Sequence, residues 1–88
     1  MAKVLLTKAF LEELSFAPQP VEDAVWASLS TIEKFPGVGS ALLEPFLKRV
    51  YGPDCLKVAV CGFDLLYRRM DETDEILALG LIHQKRVR

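Results

Sequence analysis

Three runs of alternating apolar residues, compressed into residues 55–83, leave this chain few ways to fold. In "CLKVAV", Leu56, Val58 and Val60 alternate with Lys57, Ala59 and Cys61. In "GFDLLYRRM", Phe63, Leu65 and Tyr67 alternate with Asp64, Leu66, Arg68 and Met70. In "EILALGLIHQ", Leu77, Leu79 and Leu81 alternate with Ile76, Ala78, Gly80 and Ile82. A period of two is the signature of strands with one buried face, and tight turns near Cys61–Gly62 and at "DETD" join them as an antiparallel meander. Such a sheet needs a cover, and the first half of the chain supplies one. Val21, Val25, Leu29 and Ile32 fall at helical spacing over 20–35, with Glu22, Asp23 and Glu33 elsewhere on the wheel. "FPGVGS" stops that helix. A shorter helix precedes it, with Phe10, Leu11 and Leu14 following a plausible Thr7 N-cap, and "APQP" turns one helix into the next. "AKVLLT" reads as a first strand. The predicted order is β-α-α-β-β-β: an α+β fold of two layers, an antiparallel sheet packed on a helical hairpin. Residues 37–54 read as a long connection with a helical turn around 42–46.

The totals narrow the function. Eighty-eight residues make one domain, 1–88, and such a domain buries only roughly 60% of its unfolded-chain surface, so a partner covering apolar surface would stabilise it. No apolar run approaches the length of a membrane span, and the N-terminal stretch lacks the pattern of a secretory signal; the expectation is a cytoplasmic protein without membrane contact. Cys55 and Cys61 have no matching His or Cys cluster, so no metal and no cofactor is expected, and both thiols read as free and at least half-buried. The Gly-rich "GVGS" lacks a preceding strand and a G-K-[ST] sequel, and is turn chemistry rather than a phosphate loop. The net charge of −1 is uneven: residues 45–88 carry eight Lys/Arg and end in "HQKRVR", while "DETDE" gathers four acids. The basic end suggests a polyanion or an acidic partner, yet so weak an overall charge argues against unaided binding to free nucleic acid.

Beyond this point the chain resembles the RelE/ParE superfamily of bacterial toxins from type II toxin–antitoxin modules, also known as plasmid stabilisation proteins. The resemblance spans nearly the whole chain. It lies in the element order, in "EKFPGVGS" at the end of the hairpin, and in "YGPDCLKVAV", "GFDLLYRR" and "DETDEILALGLIHQKR", which are similar to the family's strand–strand–"YR"–acidic turn–strand–basic end. It implies a cognate antitoxin that wraps the toxin. It also implies one of two targets: mRNA on the ribosome, cut by an endoribonuclease (mRNA interferase), or DNA gyrase, inhibited by binding alone.

RNA cleavage by a 2′-hydroxyl needs a base, an acid and cations that offset charge on the phosphate. The resemblance places these roles on His83, Lys85 and Lys57; Arg68, which alternation projects onto the same face, joins them, with Arg86 and Asp64 as RNA- or target-binding residues. The helix-free face, with Leu66, Ile76 and Ile82 exposed beside small residues, would be concave and would take the antitoxin. The reading requires that face and the trailing cations to meet at a common hollow. Two positions depart from the best-studied RNA-cleaving branch: Ala59 replaces a second lysine, and Asp64 replaces an arginine. The chain also ends at Arg88 without that branch's aromatic residue. A carboxylate beside the phosphate would repel it by about 4 kcal/mol at contact and intermediate dielectric. Asp64 is then either neutralised by Lys57 or Arg68, or marks a gyrase inhibitor or a catalytically degenerate antitoxin-binding module. Plainer roles stand beside these: a strand-end His83 bonded to backbone, a cross-strand pair of Asp64 with Lys57 or Arg68, a solvated "KRVR" tail, and packing roles for Trp26 and Tyr67.

Overall fold

The structure, a computed structural model, describes residues 2–87, and side chains as far as residue 85. Strand β1 (Lys3–Leu6) leads into α1 (Lys8–Ser15) and α2 (Gln19–Lys34). A 3₁₀ turn (Pro36–Val38) and a further helix, α3 (Pro45–Tyr51), precede β2 (Leu56–Val60), β3 (Phe63–Met70) and β4 (Glu75–His83). A last 3₁₀ turn covers Gln84–Val87. The sheet order is β1-β4-β3-β2. The meander β2–β3–β4 is antiparallel as expected, and β1 joins β4 in parallel, making a mixed sheet in an α+β fold.

Local chemistry accounts for the joints. Thr7 caps α1 by accepting from the Phe10 amide at 3.2 Å, and its hydroxyl donates to the Ala78 carbonyl at 2.8 Å. Between β2 and β3, Cys61 and Gly62 have φ of 48° and 81°. Two positive φ values suit the turn whose twist matches a two-stranded hairpin. The α1–α2 hairpin covers one sheet face with Phe10, Leu14, Val21, Val25, Leu29 and Ile32, which pack on Val60, Leu65, Tyr67, Ile76, Ala78 and Leu81.

In β4 the phase of the alternation changes. Leu66 pairs with Gly80 and Tyr67 with Ala78, so Leu79 is an extra residue in the ladder. An inserted residue reverses which side chains face the core on one side of it. Ile76 and Ala78 therefore point at the helices, where Leu77 and Leu79 were expected, and Leu79 joins a second cluster on the opposite face.

The opposite face, expected to be open, is covered. Leu43 and Leu47 of the α3 region bury Cys55 and Leu66, with Tyr51, Leu79 and Ile82 packed alongside. Gly80 provides the hollow that its small size suggests, but the Tyr51 ring fills it: a Cβ at position 80 would stand 2.6 Å from the Tyr51 hydroxyl. Leu66 is fully buried and Ile76 is 1% exposed on the helix side. Leu66, Ile76 and Ile82 are thus packing residues in this chain, not an exposed apolar patch. Trp26 is half-exposed and Tyr67 fully buried, the latter a packing residue as read from its strand.

Candidate functional site

Alternation along β3 sets Asp64, Leu66 and Arg68 on the face covered by α3, in rows completed by neighbouring strands. Ala59 and Ile82 flank Asp64, Lys57 and Gly80 flank Leu66, and Leu77 lies beside Arg68. Asp64 is only 4% exposed, and its Oδ1 accepts a hydrogen bond from Gln84 Nε2 at 3.1 Å. Gln84 is placed for this because its backbone amide donates to the Gly62 carbonyl, folding the 3₁₀ turn back over the end of the sheet. Among the described residues no ion pair reaches Asp64, so neither Lys57 nor Arg68 neutralises it.

Lys57 is paired elsewhere. Ser40 bridges the outer edge of β2 through two backbone hydrogen bonds with Lys57, and this brings the following segment alongside the strand. Glu44 then meets the lysine, Nζ to Oε1 at 3.3 Å. Arg68 lies two residues along β3 from Leu66, the residue opposite Lys57, with its Nε buried and without a hydrogen-bond partner among the described residues. Its charge reaches Cys55. Burial pushes that thiol up to about 11, with Arg68 among the influences that oppose the rise. Cys61, expected to be at least half-buried, is exposed at the hairpin tip. Treatment of the native protein with an alkylating agent near neutral pH should therefore modify Cys61 alone. Mass spectrometry showing equal labelling of Cys55 would contradict the burial described.

His83 belongs to the other face. Its ring stands edge-on to Phe63, centroids 4.9 Å apart, and it lines a cavity of about 390 Å³ with Glu13, Phe16, Ala17 and Leu81. Glu13 helps shape this wall by accepting a hydrogen bond from the Leu81 amide at 3.1 Å. His83 Nδ1 accepts from the Lys85 backbone amide at 3.1 Å, so the neutral ring carries its proton on Nε2. That is the backbone-bonded strand-end role. Lys85 itself is exposed, and the side chain of Arg86 lies outside the described residues.

The four residues assigned to cleavage are therefore not gathered. Lys57 and Arg68 share one face of the sheet, and His83 sits on the reverse. His83 pairs across from Phe63, five residues along β3 from Arg68, about 17 Å at the usual rise of a strand. Glu44 and the loop–helix segment with α3 were missed from sequence, although "EPFLKRVYG" carries a proline inside a helix start, basic residues in its last turn and a closing glycine. No group of His, Cys, Asp and Glu among the described residues could hold a metal ion, and no helix among them is long and apolar enough to cross a membrane.

The architecture is that of the RelE toxins. The isolated Escherichia coli RelE toxin superposes with a TM-score of 0.75 over 94% of this chain and 84% of that one, at 16% identity. The toxin–antitoxin complex RelBE2 from Mycobacterium tuberculosis gives 0.76 over 93% and 96%, at 21% identity. The intact E. coli RelBE complex gives 0.75 over 93% and 95%, at 18% identity. No protein-family model and no curated protein matches the sequence.

Proposed function

We propose that this chain is the toxin component of a type II toxin–antitoxin module, held by a cognate antitoxin, and that it acts on its target by binding rather than by cutting mRNA. The RelE fold supports the toxin reading, and two of the similar structures are toxin–antitoxin complexes. One observation carries the choice of mechanism. The acid–base candidate and the strand cations lie on opposite faces of the sheet, and Lys57 is offset by Glu44. Among the described residues, a phosphate held at His83 would lack Lys57 and Arg68, the strand cations that the cleavage reading assigns to it. Inhibition of DNA gyrase is the binding activity implied by the resemblance of the sequence to the RelE/ParE superfamily, in a plasmid stabilisation setting.

Induction of the chain should arrest growth, and co-expression of the neighbouring small reading frame should relieve the arrest. Purified protein in excess over mRNA-programmed ribosomes should leave the message intact, while a supercoiling assay tests gyrase directly. Message cleavage that is lost in His83→Ala or Lys85→Ala would overturn the binding mechanism and restore the mRNA interferase. Absence of growth arrest would favour a degenerate antitoxin-binding module.

A further inference from the structure

The helix α3 is apolar on two sides. Leu47 and Tyr51 face the sheet beside Leu43 of the preceding segment, while Phe46 and Val50, one turn apart, are 50% and 56% exposed, and Leu42, in the segment before the helix, is 82% exposed. A helix apolar on both sides belongs between two layers, and only one layer is present here. The two charged residues within α3 are both basic. Lys48 and Arg49 are exposed in the last turn, and among the described residues neither makes an ion pair. Glu44, the acid nearest in sequence, is engaged with Lys57.

We infer that the outer side of α3 is the docking surface for an acidic amphipathic helix of the antitoxin, a proposal that rests on the toxin–antitoxin reading. Apolar residues of that helix lie along Leu42, Phe46 and Val50, and its carboxylates meet Lys48 and Arg49. A second copy of this chain fits less well, because pairing α3 with α3 would bring four cations together. A membrane surface fits less well too, since two cations and three apolar side chains are too few for stable anchoring. Because α3 rests on the sheet through Leu47 and Tyr51, a helix seated there would also clamp the cover over Leu66 and Ile82.

The test uses the full chain with the protein encoded by the neighbouring reading frame, its affinity measured by titration calorimetry across a range of salt concentrations. Phe46→Glu/Val50→Glu should weaken the complex about a hundredfold. Lys48→Glu/Arg49→Glu should weaken it about tenfold and flatten its salt dependence. Leu11→Glu, on exposed surface of α1, should change it less than twofold. All substituted positions are exposed, and circular dichroism of the free variants checks that each folds. A complex with unchanged affinity in both α3 variants overturns the docking surface while leaving the toxin–antitoxin reading intact. Failure of the unmodified proteins to associate overturns that reading, and this surface with it. Self-association abolished by Phe46→Glu, or binding to anionic lipid vesicles abolished by Lys48→Glu/Arg49→Glu, would assign the ridge to another occupant.

Discussion

Leu66→Asp is expected to leave the chain unfolded at physiological temperature. Leu66 is enclosed by Leu43, Leu47 and Cys55, and a carboxylate there would be buried without a partner. The milder Leu66→Ala removes buried methyl groups and leaves a cavity, at a cost of about 2–5 kcal/mol. Against a total of about 5–15 kcal/mol for ordinary domains, with small ones at the low end, even that is a large fraction. Urea denaturation followed by circular dichroism measures it. The contrast with a surface role is sharp: a residue that only contacts a partner could be changed to Asp with little loss of stability, and that result would return Leu66 to the antitoxin interface.

Gly39→Ala should be nearly as damaging, for lack of space rather than for backbone reasons. Gly39 has φ of −71°, which any residue adopts. A Cβ there would stand 2.6 Å from the Tyr67 hydroxyl, 2.8 Å from its Cε1 and 3.0 Å from Leu56 Cβ. Tyr67 cannot yield, because its hydroxyl donates to the Pro36 carbonyl at 2.7 Å and accepts from the Gly39 amide at 2.9 Å, with the ring fully buried. Overpacking alone costs about 1–3 kcal/mol, and loss of the two hydrogen bonds adds to it. Tyr67→Phe isolates the second contribution, about 1–3 kcal/mol for leaving buried polar groups without a partner. Because the two positions touch, the double variant should be less unstable than the sum of the singles, by about 0.5–3 kcal/mol. Strict additivity would mean that Tyr67 does not lock this connection.

The elements that were legible in the sequence are those with an unambiguous period. Helix α2 could be read because Val21, Val25, Leu29 and Ile32 mark one side and acids lie away from it. Strand β3 could be read because Asp64 and Arg68 mark its second face. Strand β4 was legible as a strand but not in its phase, since "ILALGLI" holds no charged residue to say which side is which. A bulge depends on how two strands pair, and neither strand announces it alone. Helix α3 was hidden for a related reason: it is seven residues long and apolar on both sides, so its pattern resembled an irregular connection. Once α3 was read as loop, the sheet face beneath it had to be read as open, and Leu66 and Ile82 as exposed. The separation of His83 from Lys57 was partly legible, because alternation from Ile82 already turns the histidine to the other side. The pairing of Lys57 with Glu44 was not, since it depends on Ser40 bridging the edge of β2.

The placement of β1 against β4 has a consequence for the order of assembly. Of the four described strands, the earliest in the chain pairs with the latest, and the Thr7 hydroxyl that begins α1 is anchored on that same late strand. Contacts between such distant parts of a chain form slowly and only after both parts exist. Nascent chains that have exposed the helical hairpin but not β4 therefore hold β1 without the strand it pairs with, and the sheet closes only once β4 has emerged.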